Sequence, residues 1–125
     1  MHKLMVSLMM GASLTWGACG ASFPAPTQRM ADAQSAERSA RELGAYDEPR
    51  AQLSLKLAQD QIAQAKLAMN DGENQRADSL LVRARADAEL AVAQTRERGA
   101  RVEGQEAVDD SAAQKATNVG QGAVK

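Results

Sequence analysis

The chain of 125 residues contains one cysteine, Cys19, and one histidine, His2. Thiol and imidazole groups are common nucleophiles, general bases and metal ligands in proteins. The two residues flank a hydrophobic N-terminal segment that runs from Leu4 to Trp16. The first question is therefore whether Cys19 is a reactive thiol or marks the place where this segment is cut and modified.

Residues 1–18 have the layout of a secretory signal peptide. Lys3 gives the start a positive charge, the apolar run follows, and the small residues Gly17 and Ala18 precede Cys19. The apolar run is shorter than the roughly 20 residues that a membrane-spanning helix requires. We predict that residues 1–18 are a signal peptide, with which the only histidine would be removed.

The cleavage site allows three interpretations. Gly17-Ala18-Cys19 resembles the end of a bacterial lipobox, in which the cysteine thiol is acylated and becomes the first residue, although Trp16 stands where lipoboxes usually carry leucine. Alternatively, signal peptidase I recognises Cys19 and Ala21 as the small residues before its cleavage site and leaves a soluble protein that begins at Ser22. In the third interpretation Cys19 stays a free thiol. The lipobox interpretation predicts lipidation at Cys19 and a membrane as partner through the lipid anchor. Because residue 20 is not the aspartate that retains enterobacterial lipoproteins in the inner membrane, it favours the outer membrane facing the periplasm over a periplasmic or secreted location.

Composition favours helices and excludes some classes of function. Charged residues make up 25% of the sequence, aromatic residues 2%, and the formal net charge is −1. A nucleic-acid-binding protein is expected to carry a basic face, so we predict no nucleic-acid partner. About a fifth of the residues are alanine, and alanine with Leu, Glu, Gln, Lys and Arg is typical of long helices. The predicted fold class is all-α.

The pairs of acidic residues in the sequence do not lie in the fixed geometry that catalysis requires. Asp109 and Asp110 fall in a segment that we expect to be flexible, where their geometry would not be held. Asp71 and Glu73 lie in a predicted turn, where capping of a helix is the simpler interpretation. We therefore expect no enzyme activity, no cofactor and no metal site.

Residues 28–98 are predicted to form three helices, at about 28–43, 48–70 and 74–98. Each helix carries apolar residues at spacings of three and four, which place them on one face. In the first helix these are Met30, Ala33, Ala36, Ala40 and Leu43. In the second they are Ala51, Leu55, Ala58, Ile62, Ala65 and Met69. In the third they are Ala77, Leu81, Ala84, Ala88, Ala91 and Thr95.

Turn signals separate the predicted helices. Gly44 is placed to end the first helix, Asp47 to cap the second with Pro49 in its first turn, and Gly72 to end the second. The second and third stripes have the same period and a short connection, so we predict an antiparallel helical hairpin with coiled-coil-like packing, plus the N-terminal helix. Residues 19–27 form the lipidated N-terminus and a proline-containing linker, and residues 99–125 form a fraying helix and a disordered tail.

The spaced alanines and the turn between the second and third helices resemble the DUF4398 family. The segments that carry the resemblance are the L-x-L-A sequence at 55–58, the Asp/Gly turn at 70–74 and the A-D-A-E-L-A sequence at 86–91. The resemblance covers roughly residues 26–94. It implies a helical module of exported bacterial proteins, often lipoproteins of the cell envelope, and it transfers no catalytic residue.

Three functions without catalysis are compatible with these features. The leading interpretation is a cell-envelope lipoprotein whose helical body is a spacer or a protein-interaction module, through an envelope partner or self-association. The alternative is a tether between the outer membrane and peptidoglycan through Lys125, as in the murein lipoprotein, whose C-terminal lysine is joined to the cell wall. A third is a soluble periplasmic adaptor that binds a peptide in a groove between the first and third helices.

Four leucines lie off the predicted stripes: Leu53, Leu57, Leu67 and Leu90. They are either an interaction face or the remainder of a three-helix core. Burial distinguishes the two interpretations.

Overall fold

A computed structural model describes residues 22–122 of the chain, so the predicted signal peptide at 1–18 lies outside the described residues. Within this range the structure is all-α, as predicted, and it contains no β-strand. Helix α1 spans Thr27–Glu42, α2 spans Pro49–Asn70 and α3 spans Asn74–Gly122. A single 3-10 turn, Ala45–Asp47, connects α1 to α2.

Glycines in the left-handed conformation end α1 and α2, which confirms both predicted stops. Gly44 has a φ of 84° and Gly72 a φ of 77°. After α2 the backbone N–H of Glu73 donates to the carbonyl of Ala68 at 2.8 Å, and that of Gly72 donates to Met69 at 3.2 Å. This pair of bonds is the Schellman motif, which satisfies the last carbonyls of a helix and reverses the chain.

The cap of α2 differs from the prediction that named Asp47. Glu48 is the residue with extended backbone that precedes the helix, and its Oε2 accepts a hydrogen bond from the backbone N–H of Arg50 at 3.2 Å. Asp47 belongs to the 3-10 turn, so its backbone does not have the extended conformation that an N-cap residue requires. Pro49 occupies the first turn of α2, as predicted.

The core consists mainly of alanine. Eleven of the fifteen buried apolar residues are alanines, and the other four are Leu55, Ile62, Leu80 and Leu81. Small side chains let helix axes approach closely. Larger residues share buried clusters with alanines of the opposite helix: Ile62 and Ala84 belong to one cluster, and Leu55 and Ala91 belong to the other. The stripes predicted for the second and third helices are therefore confirmed as the core, except for their last residues, Met69 and Thr95, which are only partly buried.

Helices α2 and α3 form the predicted antiparallel hairpin. The Ser54 hydroxyl donates to Gln94 Oε1 at 3.0 Å, and Gln61 Nε2 donates to Asp87 Oδ2 at 2.7 Å. Later residues of α2 thus pair with earlier residues of α3. These two polar contacts fix the register of the seam between helices whose alanine stripes are otherwise similar.

Helix α1 packs on the hairpin and runs parallel to α3. Arg29, near the start of α1, forms an ion pair with Asp78, near the start of α3. Ala33 and Ala40 of α1 are fully buried, and Met30 packs against the same cluster as Ile62 and Leu81. The predicted stripe of α1 is only partly buried, because Leu43 at its end is exposed.

The third helix is much longer than predicted. It continues from Asn74 to Gly122, whereas the sequence indicated an end near residue 98 and a disordered tail. At about 1.5 Å per residue, α3 is roughly 70 Å long. The residues from 96 to 119 are all exposed. They are helical without covering contacts because most are Ala, Glu, Gln, Arg and other residues that tolerate helix well.

Candidate functional site

The N-terminal linker is held at the start of α3. Asn74 Nδ2 donates a hydrogen bond to the backbone carbonyl of Phe23 at 2.8 Å, and Pro26 is buried. The ion pair between Arg29 and Asp78 lies at the same end of the bundle. Residue 22 therefore lies at the end of the molecule opposite to residue 122 of α3. Cys19 itself, the predicted lipidation site, lies outside the described residues.

The four off-stripe leucines are not part of the core. Their exposed fractions are 62% for Leu53, 44% for Leu57, 64% for Leu67 and 47% for Leu90. The interpretation that they complete the three-helix core is wrong, because all four side chains are exposed while the buried core consists mainly of alanine. Their role as an interaction face stays a prediction.

The leucines occupy two helices. Leu53, Leu57 and Leu67 are on α2, and Leu90 is on α3. Leu57 lies between Ser54 and Gln61 in the chain, and Leu90 lies between their hydrogen-bond partners on α3. Leu57 and Leu90 are therefore at the same level of the α2–α3 seam. Leu53 and Leu67 extend the exposed apolar surface along α2.

An open groove of about 540 Å³ lies between α1 and α3, where the sequence placed a hypothetical peptide-binding groove. Ser35, Ser39 and Val92 contribute hydroxyl and apolar surface to it. Its charged lining residues are Asp32, Arg85, Glu89 and Arg96. Charges of both signs are present, which suits a ligand with polar groups of both signs more than a purely apolar one.

Two of these lining residues, Arg85 and Glu89, contact each other. Arg85 Nε donates to Glu89 Oε1 at 2.7 Å. This hydrogen bond and the charge of Glu89 raise the pKa of Arg85 above its ordinary value. Arg85 and Glu89 therefore form an ion pair in the lining of the groove.

The acidic groups considered in the sequence are engaged in local contacts. Glu73 Oε2 accepts from Arg76 at 2.7 Å, and Asp109 Oδ1 accepts from Gln105 at 2.9 Å. Asp109 and Asp110 are on α3, not in a disordered tail. Among the described residues no group of three or more His, Cys, Asp or Glu side chains is placed to hold a metal ion.

None of the helices in the described range is both long enough and apolar enough to cross a membrane. Lys125, the predicted peptidoglycan attachment site, lies outside the described residues.

The sequence analysis did not predict two features of the surface: the mixed charges of the α1–α3 groove and the exposed distal half of α3. The absence of proline and the high helix propensity after Thr95 are the sequence features that indicate the long α3 helix.

The sequence matches the family described as Domain of unknown function (DUF4398) over residues 28–107. The chain belongs to the DUF4398 family. The matched region covers α1, α2 and the first two thirds of α3. It extends to residue 107, whereas the resemblance described from the sequence motifs ends near residue 94. No curated protein and no solved structure matches the chain. The DUF4398 domain thus includes part of the exposed half of α3 as well as the compact bundle.

Proposed function

We propose that this DUF4398 protein is a lipid-anchored, non-catalytic protein of the bacterial cell envelope, whose helical body is a spacer and interaction module. The sequence around Cys19 supports the anchor, because a basic start, an apolar run and a small pair precede the cysteine. The proposed location is the outer membrane, facing the periplasm. The soluble alternative is a periplasmic or secreted protein that begins at Ser22.

The observation that carries the spacer role is the position of the linker. The contact between Phe23 and Asn74 places the linker at one end of the molecule, and α3 leads from that end over roughly 70 Å. An anchor at Cys19 would therefore hold the bundle near the membrane and direct the exposed half of α3 away from it. Such a shape presents an unobstructed helix to partners at a distance from the lipid surface.

The interaction role is supported by surface that the fold leaves uncovered. Four leucines and the whole of residues 96–119 are exposed. Three alanine-rich helices bury little apolar area, and domains of this size have small stability margins. Binding to the folded form adds to stability by mass action, so a partner would strengthen a fold of this kind.

Fractionation of cells that produce the wild type or Cys19→Ala tests the anchor. The wild type is expected in the outer-membrane fraction with incorporation of a labelled fatty acid, and Cys19→Ala is expected to lose the label. A matched control, Ser22→Ala, changes a small residue after the cysteine and should keep the label. A wild-type protein that is soluble, unlabelled and begins at Ser22 would refute the anchor and leave the soluble alternative.

A peptide-binding adaptor is the second candidate, and the groove between α1 and α3 favours it. Ser39 and Arg96 lie in the groove lining, so peptide backbone and carboxylate groups would find donors there. Arg96→Glu should abolish retention of a bound envelope peptide, while Arg98→Glu, outside this groove, should not. Equal retention by the two variants would count against an adaptor that uses this groove.

A further inference from the structure

The N-terminal linker is short and joins the fold almost at once. Two residues separate Cys19 from Ser22, so the Cα atoms of Cys19 and Ser22 are at most about 11 Å apart. The backbone carbonyl of Phe23 already accepts a hydrogen bond from Asn74 Nδ2 at 2.8 Å. Pro26 is buried, and α1 begins at the next residue. The base of the bundle is therefore close to any group that Cys19 carries.

This short distance is comparable to the thickness of a lipid headgroup layer. A bilayer is about 40–45 Å thick with its headgroups and about 30 Å thick without them, so each headgroup layer is about 5–8 Å thick. A diacylglyceryl group on the Cys19 thiol would place the Cys19 backbone near the glycerol groups of the lipids, at the inner edge of this layer. Ser22 would then lie at most about 6 Å outside the headgroups, with Phe23 within reach of them.

The linker has an apolar surface at this point. Phe23, Pro24 and Ala25 are all exposed, and the exposed fraction of Phe23 is 44%. Phenylalanine is one of the residues by which surface-bound proteins enter the boundary between headgroups and acyl chains, to a depth of about 5–10 Å. We call residues 23–25 the contact segment. Its composition suits a lipid surface better than water.

The charged groups at this end of the bundle do not form a basic surface. Arg29 forms an ion pair with Asp78. Arg76 forms an ion pair with Glu73 at 2.7 Å. Asp71, in the turn before α3, is exposed. Attraction to anionic lipids depends on clusters of Lys and Arg, so a contact at this end would depend on the apolar residues instead.

We propose that the contact segment lies in the headgroup layer of the membrane that holds the Cys19 anchor, so that the base of the bundle rests on lipid. The contact rests on the anchor of the proposed function and adds to it a fixed position of the helical body. Because Asn74 holds the linker at the start of α3, the contact determines which end of the bundle faces the lipid. The 3-10 turn that contains Tyr46 then lies about 33 Å away, which is the length of the 22-residue α2.

The surface of distal α3 favours this upright position over a body that lies along the membrane. Residues 96–119 are all exposed. With 3.6 residues per turn, Arg101, Glu103 and Asp109 lie on different sides of the helix. Charged side chains are costly to place in lipid. An upright body keeps all three in water.

Tryptophan fluorescence of the acylated protein in vesicles tests the contact. The only tryptophan, Trp16, lies in the predicted signal peptide, so the mature chain can carry a single probe. Phe23→Trp places the probe in the contact segment. Tyr46→Trp is the matched control, because Tyr46 is an aromatic residue of similar exposure, 52%, at the other end of the bundle. Each variant is purified from the membrane fraction, its acyl mass is measured, and it is reconstituted in phosphatidylcholine vesicles with or without bromine on the acyl chains near the headgroups.

Bromine quenches tryptophan only at short range. Because a side chain at the interface lies about 5–10 Å into the headgroup boundary, we expect bromination to lower the emission of Phe23→Trp at least about twofold. The emission of Tyr46→Trp should not change. Added phosphatidylglycerol, an anionic lipid, should leave both results unchanged, and quenching that requires it would overturn the apolar contact.

Four other results would also contradict the contact, and they differ in what they imply for the anchor. An acylated Phe23→Trp protein that bromine does not quench would overturn the contact and leave the anchor intact. Equal quenching of both probes would show a body that lies along the membrane. Emission at short wavelength without quenching would show that protein, not lipid, covers the contact segment. A chain without acyl mass would refute the proposed anchor and the contact with it.

Discussion

The amide of Gln61 on α2 donates to the carboxylate of Asp87 on α3 across 2.7 Å, in a seam of mostly alanine and leucine that also holds the Ser54–Gln94 hydrogen bond. The second amide atom of Gln61, Oε1, is buried without a hydrogen-bond partner among the described residues. This contact therefore specifies the register of the hairpin, but it also leaves one buried polar atom without a hydrogen bond. Polar residues in helical seams are used in this way, with a cost in stability.

Removing one partner of this contact should destabilise the fold. Asp87→Leu leaves both polar atoms of Gln61 without partners and should lower the free energy of unfolding by about 1–3 kcal/mol. The double variant Gln61→Leu/Asp87→Leu replaces the whole contact with apolar groups and should recover most of that loss. Urea unfolding followed by circular dichroism measures both. Gln61→Leu alone completes the cycle, and a double variant whose loss of stability equals the sum of the losses of the two single variants would show that the contact has no coupling energy.

Most of the bundle could be predicted from sequence because its signals are periodic. Ala58, Ile62 and Ala65 recur at spacings that only a helix places on one face, and all are buried. Gly44 and Gly72 stop the helices where a positive φ is needed. These features depend on local geometry, which the order of residues determines directly.

Other features depend on contacts that the sequence does not encode locally. The α1 stripe is mostly alanine, and such a stripe does not specify the helix that it packs against. In the structure the ion pair between Arg29 and Asp78 joins α1 to α3. The end of α3 was predicted too early, because the apolar pattern weakens after Thr95 while helix propensity does not. The exposure of Leu57 and Leu67 could not be predicted, since a leucine beside an apolar stripe is equally compatible with core and surface.

Replacement by alanine should have opposite effects on the free energy of unfolding at Gly72, which lies in a turn, and at Gly99, which lies within α3. Gly72 has a φ of 77° and no atom within 4 Å of an added Cβ, so Gly72→Ala costs backbone strain alone. We expect it to lower the free energy of unfolding by about 1–2 kcal/mol. Gly99 has ordinary helical backbone and the same open space. Gly99→Ala should raise that free energy by about 0.5–1 kcal/mol, and equal effects of the two variants would contradict the assigned turn.

The alanine core should be sensitive to size. Ala65 is fully buried in the cluster that contains Leu81, whereas Ala63, two residues earlier on α2, is exposed. Ala65→Leu overfills the seam and should lower the free energy of unfolding by about 1–3 kcal/mol. Ala63→Leu should change it by less than about 0.5 kcal/mol. Thermal or urea unfolding of the pair compares them, and a stable Ala65→Leu protein would mean that the helices are less closely packed than described.

The intact mass of the protein purified from the membrane fraction shows whether Cys19 holds this DUF4398 protein at a membrane, as we propose, with its helical body directed away. We expect a chain that begins at Cys19 and carries the additional mass of two or three acyl chains. The same measurement on Cys19→Ala should find no acylated species. An unmodified chain that begins at Ser22 would contradict the anchor, and the protein would then be a soluble helical module.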